Sequence, residues 1–398
     1  MSGSTRGTVL ISGASIAGPA LAFWLGRYGF DVTVVEKAPA LRGGGYPIDI
    51  RGTALEVVRR MGVHSQLREV HVDTRRLTFL NPDGSPVTSL RPAALVGGAE
   101  DSDLEVRRGD LAEVLYGAVR DDTEFLFDDS IAALDDHEGA VDVTFRSGAR
   151  RTFDLVVGAD GLHSNTRRLV LGPEEPFHRY LGYCFAGFTM RNDFGLSHEG
   201  VVWNTPGRAA ALYAVGDGDE LFGFLNFTRP EPPVAAFRNP DAQRDLVASV
   251  FAGDQWEIPR LTAAMRAADD LFFDVVSQIH LPRWSAGRVA LVGDAAYAPS
   301  FLTGQGTSLA LVGAYMLAGE LATAPDHTAA FTAYERSTRA FVELNQALVT
   351  EGNAALFPST PEALAQRNDA LRRLTTLPGE TERPEHSALA LPAFAPAN

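Results

Sequence analysis

Residues 8–39, TVLISGASIAGPALAFWLGRYGFDVTVVEKAP, decide the fold. They read as a buried strand at Thr8–Ser12, a glycine turn, an apolar helix over Pro19–Tyr28 and a β-branched strand at Val32–Val35. The turn from Gly13 to Gly18 is GASIAG. It is one residue away from the G-x-G-x-x-G that cradles a pyrophosphate, with Ser15 in the middle glycine position. It is also close to the G-x-S-x-G elbow that presents a nucleophilic serine, with Ala17 in place of the last glycine.

A nucleophile elbow needs strands ahead of it to build the sheet and an acid and a histidine after it. Ser15 has one strand ahead of it, and no such pair stands out downstream. A dinucleotide turn needs an acidic residue at the end of the second strand, about 20 residues on. Glu36 stands there, 18 residues after Gly18 and followed by Lys37. Serine is the smallest polar substitute for the middle glycine, and its hydroxyl can donate to a phosphate oxygen. An ordinary β-α-β turn without a ligand is the third reading, and the turn by itself leaves it open.

With 398 residues the chain is long enough for two or three domains. A net charge of −15 sets nucleic acid and anionic membranes aside as main partners. Lys37 is the sole lysine and Cys184 the sole cysteine, so no internal disulfide can form. The start, MSGSTRG, lacks an apolar signal core, and no later apolar run is long enough to cross a bilayer. A cytoplasmic protein, monomer or homodimer, is expected. The nine histidines are scattered and give no metal site.

Further along, a glycine-rich loop RGGGYPIDIRG leads to a helix over Ala54–Met61 stopped at Gly62. Residues 75–90 form a hairpin around NPDG, and Asp110–Val119 is helical. Thr123–Phe127 and Val141–Phe145 are strands, and FDLVVGADG is a buried strand ending in a tight turn. Between Pro173 and His280 aromatics alternate along strand-like runs, the pattern of a mostly antiparallel sheet. Helices are expected over Thr307–Leu321 and Thr328–Asn353, and the Pro/Ala-rich tail from Pro378 has the composition of a partly disordered segment. The fold class is therefore α/β with a Rossmann-like domain (1–72, 98–172 and 280–345), a second, mostly antiparallel domain (73–97 and 173–279), and a C-terminal helix and tail (346–398).

Two more segments break the tie at the opening turn. DLVVGADGLHSNTRR (154–168) and GRVALVGDAAYAPSFLTGQGTSLALVGAYMLAGEL (287–321) each put an aspartate beside glycine where a buried strand ends. Three such strand ends in this order resemble the class A FAD-dependent aromatic hydroxylases, the para-hydroxybenzoate hydroxylase superfamily, over roughly residues 8–345. The nearest flavour resembles polyketide hydroxylases and tetracycline-inactivating monooxygenases.

The resemblance implies sites residue by residue. Gly13, Ala14, Ser15, Ile16, Ala17, Gly18, Glu36 and Lys37 match the segments that hold the adenosine half of FAD. Arg108 matches the family's R-x-x-L arginine, being three residues before Leu111; Arg107 is the adjacent alternative. Asp160 matches the DG motif and Asp294 the GD motif, whose aspartate binds the ribityl chain. Gly304, Gln305 and Gly306 lie where relatives pack backbone against the isoalloxazine ring. Tyr297 stands where many relatives carry histidine.

The resemblance also implies the chemistry: NADPH or NADH, as a transient donor, reduces FAD, O2 adds to give a flavin hydroperoxide, and an oxygen atom passes to an electron-rich carbon. No side chain need act as a covalent catalyst, and none is assigned. Tyr46, Tyr213, Phe222, Phe224 and Phe301 are the expected apolar lining for an aromatic or polycyclic small molecule. Asp49 and Arg51 are the expected polar contacts. Two rival readings remain at this stage. One is a flavin-dependent halogenase, half-echoed by GDQWEIP at 253–259. The other is a flavin- or small-molecule-binding protein without turnover.

Overall fold

The computed structural model describes residues 6–41, 43, 45–92, 94, 103–350, 357–374 and 383–394. The opening unit forms as its pattern requires: strand Thr8–Ser12, helix Ala17–Arg27 and strand Asp31–Glu36. Both strands are buried along almost their whole length, as strands covered on two faces must be. They lie in a six-stranded sheet ordered Ser285–Ala286, Val289–Leu291, Leu155–Gly158, Thr8–Ser12, Asp31–Glu36, Glu124–Phe127. Every pairing is parallel except that of Ser285–Ala286 with Val289–Leu291.

Helix Gly306–Thr323 is apolar on all sides, and nearly all of it is buried. It packs between helices Ala17–Arg27, Thr53–Met61 and His327–Ala347. Trp24 meets Tyr315 edge to face at 4.8 Å across the first of these contacts. Helix Thr53–Met61 stops at Gly62 in the left-handed conformation. Helix His327–Ala347 starts at an Asp326 cap, whose carboxylate accepts from Ala329 N at 2.9 Å. A turn at Leu348 interrupts it, Val349 and Thr350 are helical again, and positions 351–353 of the expected helix lie outside the described residues.

A seven-stranded sheet runs Phe272–Ile279, His178–Arg191, Glu220–Thr228, Arg208–Ala214, Glu199–Thr205, Arg76–Leu80, Pro86–Leu90. It is antiparallel apart from the Glu199–Thr205 pairing with Arg76–Leu80. Its back is covered by helices Pro240–Val250 and Ile258–Ala267, which pack on Trp203, Leu225, Phe227 and Val275. The alternating aromatics hid these two helices in the sequence. The signals that mark them are Asn239, capping Ala242 N at 3.1 Å, and a proline in each first turn. The front of the sheet faces the parallel-sheet body. A two-stranded ribbon, Pro47–Ile50 with Leu104–Arg107, and helix Pro361–Leu374 sit along it.

Of the Pro/Ala-rich tail expected from Pro378, positions 378–382 and 395–398 lie outside the described residues. Residues 383–394 dock as a strap, with Leu389, Leu391 and Phe394 packed on the main core. Three apolar residues anchor this short segment, and its carbonyls find partners. Thr53 Oγ1 donates to Leu389 O at 2.9 Å, Arg60 to Pro392 O at 2.9 Å, and Asn345 to Glu385 O at 3.1 Å. Gly52, at φ 53°, lets the strap approach, since a Cβ there would stand 2.1 Å from His386 O. Removing residues 383–398 is expected to cost about 3 kcal/mol, from three half-buried apolar side chains. Calorimetry should show a thermal midpoint lowered by several degrees; an unchanged midpoint would contradict the strap's role.

Candidate active site

Four strands of the parallel sheet end at one edge, and the site is built from the turns that follow them. Gly13 N donates to Val35 O at 2.7 Å, Ala159 N to Ser12 O at 2.8 Å, and Val292 N to Gly158 O at 2.9 Å, so the turns are fastened to one another. Gly18 is required by packing: a Cβ on it would lie 1.9 Å from Gly13 O. Glu36 closes the turn from the neighbouring strand, accepting from Ala14 N and Ala38 N, each at 2.9 Å. Ala14 and Ala17 are buried in the turn, and Ile16 occupies the residue before the helix. Lys37 is exposed beyond Glu36, with no hydrogen bond to the turn among the described residues.

Ser15 Oγ accepts from Arg108 Nη2 at 3.1 Å. A guanidinium cannot take its proton, so the nucleophile reading finds no base here. Arg107 instead pairs with Asp110 at 2.7 Å, which leaves Arg108 as the arginine facing the turn. Arg108 N donates to Tyr46 O at 3.2 Å and so brings Tyr46 beside it.

Asp160 is occupied locally. Its carboxylate accepts from the Ser164 hydroxyl and, at 2.9 Å each, from Thr166 N and Thr166 Oγ1. Ser164 in turn caps helix Asn165–Leu171 by accepting from Arg167 N at 2.9 Å. Arg167 is completely buried, ion-paired with Glu174, and donates to Ala295 O at 2.9 Å. It therefore locks the turn that carries Asp294. Burial pushes the Asp294 carboxyl up, and the guanidinium groups of Arg108 and Arg167 pull it back.

Gly304–Gly306 meets this group from the other side. A Cβ on Gly306 would be 3.7 Å from Asp294 Oδ1, and one on Gly304 would be 3.5 Å from Asp49 Oδ2. Gln305 is fully buried, yet neither end of its amide has a protein partner. An orphaned donor and acceptor at the start of the buried helix Gly306–Thr323 fit a polar cofactor. The Gly13–Gly18 turn fits its phosphates.

On the side of the seven-stranded sheet, Tyr46 meets Phe222 at 5.9 Å and Phe224 at 5.4 Å, and Tyr213 meets Phe224 at 6.1 Å. Phe301 does not join this group: it packs on Phe185 at 5.0 Å and Phe357 at 6.1 Å and stays 37% exposed. Arg51 pairs with Asp49 at 2.8 Å. Glu105 stands directly across the ribbon from Asp49. Burial first, then the Asp49 charge, raises its carboxyl to about 7. Glu105 was missed by the sequence reading because only the strand register reveals its partner. His163 was missed too. It bonds Glu174 at 2.8 Å and Asp274 at 3.1 Å, which lifts its imidazole to about 10.

The halogenase-like segment lies behind the sheet. Trp256 stacks on Trp203 at 6.2 Å, and Asp254 pairs with Arg208 at 2.7 Å. Tyr297 is fully buried, its hydroxyl 2.9 Å from that of Tyr334. Among the described residues no cluster of metal-ligating side chains occurs, and no helix is long and apolar enough to cross a membrane.

Comparison with known proteins matches residues 6–185 to an FAD binding domain family. The uncharacterized protein MT1298 of Mycobacterium tuberculosis is 46% identical over 346 residues, 86% of this chain and 93% of that protein. A flavin-dependent monooxygenase from an unknown prokaryotic organism is 38% identical over 365 residues, 91% of this chain and 94% of the relative. The crystal structure of the tetracycline destructase Tet(55) superposes with a TM-score of 0.84 at 34% identity, covering 98% of this chain and 99% of that one.

Gly18→Ala should abolish FAD retention, since its methyl collides with backbone. Ser15→Gly should weaken FAD binding by no more than about fivefold, the effect of one hydrogen bond. Fluorescence titration with FAD measures both, and loss of binding in Ser15→Gly would reject this account of the turn. Glu105 makes a pH prediction. Its folded value lies above the ordinary 4.5, so its stabilising contribution is present below that pH and lost as pH rises through about 7. The thermal midpoint of Glu105→Gln minus that of wild type should therefore grow between about pH 5 and 8; a flat difference would contradict it.

Proposed function

Because this chain belongs to the FAD-dependent flavoprotein monooxygenases, we propose that it transfers one oxygen atom of O2 to an aromatic or polyketide-like small molecule, with NADPH or NADH as transient donor. The observation that carries the reading is one meeting point. Gln305's unpartnered amide and Asp294 lie on one side of it, and the Tyr46–Phe222–Phe224 rings lie on the other. In this reading the chain divides into a cofactor domain (1–72, 98–172, 280–345) and a substrate domain (73–97, 173–279).

The Gly13–Gly18 turn and the start of helix Ala17–Arg27 hold the pyrophosphate, with Arg108 supplying charge and Glu36 the ribose contact. Asp294 binds the ribityl hydroxyls, and Gly304–Gly306 packs against the ring. The positive end of helix Gly306–Thr323 stabilises negative charge that develops there. Bound FAD, once reduced, supplies the activation of oxygen. The protein's part is to place an electron-rich ring against it and to keep water away, which the four aromatic side chains do. Asp49 and Arg51 orient the polar edge of the ligand.

The sequence carries one dinucleotide turn, and this reading gives it to FAD, so the nicotinamide donor binds without a Rossmann unit of its own. The likeness to a tetracycline destructase makes tetracyclines the first substrates to try. The halogenase reading is disfavoured, because halogenation needs an active-site lysine and Lys37 is exposed at the cofactor turn.

Purified protein should oxidise NADPH slowly alone and faster with a tetracycline or polycyclic phenol. With labelled dioxygen, mass spectrometry should find one labelled oxygen in the product. Product carrying only solvent oxygen would reject a monooxygenase.

A further inference from the structure

One row of side chains crosses the front of the seven-stranded sheet: Asn204, Ala209, Asn226, Phe185 and Asp274 are successive cross-strand partners. Side chains alternate between the faces of a sheet, so Asn226 projects on the same face as Phe222 and Phe224. It is 6% exposed, and its carbonyl oxygen has no hydrogen-bond partner.

The other buried amides on this face are satisfied. Asn204 Oδ1 accepts from Arg367 Nη2 at 2.8 Å, and Gln278 Nε2 donates to Pro299 O at 3.0 Å and Gln346 O at 2.8 Å. Asn226's two neighbours in the row, Ala209 and Phe185, have no polar side-chain atoms to offer. Both belong to one apolar cluster with Leu302, in the turn that leads into Gly304–Gly306. The unpartnered carbonyl thus lies where the aromatic sheet comes under the cofactor loop. A buried amide oxygen without a partner is unfavourable by about 1–3 kcal/mol and is unusual in a native fold.

We infer that Asn226 is the hydrogen-bond acceptor of the substrate face, taking a ring hydroxyl of the aromatic ligand. The inference rests on the reading of this face as the substrate side. In this orientation of the amide its oxygen only accepts, so the ligand presents O–H or N–H to it. The surrounding rings select a flat, aromatic frame on which that group is a phenol or enol.

The test uses FAD-loaded full-length protein and two probes of one ring frame, 1,8-dihydroxyanthraquinone and its dimethyl ether. Binding is followed by the change in flavin absorbance. Wild type should bind the dihydroxy probe about fivefold or more tightly than the ether, the effect expected of one hydrogen bond. Asn226→Leu should lose that preference while binding the ether as before, and Asn226→Ser should restore part of it. Asn226→Ala serves as the second deletion should leucine disturb folding, with FAD content and thermal midpoint as the checks. A preference that survives both deletions, or one absent from wild type, overturns the role of Asn226 and leaves the substrate face standing. Wild type binding neither probe overturns the reading of the face itself.

Discussion

A parallel sheet delivers the C-terminal end of each strand to the same edge, and the rest of this molecule depends on that constraint. Ser12, Glu36, Gly158 and Leu291 end side by side, so the turns after them must share one small space. Backbone hydrogen bonds between turns hold them at contact distance. Arg167 then joins two of the turns, reaching from the helix after Gly161 to the carbonyl of Ala295. A fully buried guanidinium is costly to desolvate, and Glu174 with the carbonyl oxygens of Ala295 and Leu162 surrounds it. Its neighbour His163 extends the same network to Asp274 of the seven-stranded sheet. With its imidazole near 10, that clasp keeps its positive charge through neutral pH and releases it only as pH rises through the folded value. The aromatic face is thereby held against the cofactor edge.

Much of this was legible in the sequence because buried parallel strands write continuous apolar runs, and the glycine turns after them are punctuated by single acidic residues. The opening unit, the DG and GD turns, the hairpin at NPDG and the apolar helix after Gly306 were all found this way. The resemblance's R-x-x-L spacing singles out Arg108 over Arg107, and in the structure Arg107 is drawn to Asp110 of the following helix while Arg108 reaches Ser15. What stayed hidden depended on partners distant in sequence. The opposition of Glu105 to Asp49 exists only in the register of the ribbon. The separation of Phe301 from the Tyr46 group depends on how a short turn folds over the sheet. The strap was hidden because proline and alanine say nothing of where three apolar side chains dock.

The strap reaches further than stability. It lies on Gly52, next to Arg51, and places His386 in a buried position. Burial and the charges of Arg51 and Arg383 hold that imidazole down to about 4, so it stays neutral at ordinary pH. A neutral neighbour leaves Arg51 free to balance the carboxylates in front of it. The far C-terminus thus shapes the charge balance of the candidate site through a side chain that touches neither sheet edge nor aromatic face.

That balance is the least comfortable feature of the fold. Asp49 and Glu105 oppose each other across the ribbon, an arrangement that repels when both are ionised. Arg51 pairs with Asp49 at 2.8 Å and reaches Asp103 at 3.9 Å. Burial first, then the Asp49 charge, raises the Glu105 carboxyl to about 7, and a proton there relieves the repulsion near neutrality. Burial first, then the charges of Glu105 and Asp49, raises the Tyr213 hydroxyl, and this ring stays uncharged beside Phe224. The carboxylate ribbon and the aromatic face are therefore one electrostatic unit. The apolar rings keep the acidic edge poorly solvated, so a polar group of a ligand entering between them meets carboxylates that oppose each other across the ribbon.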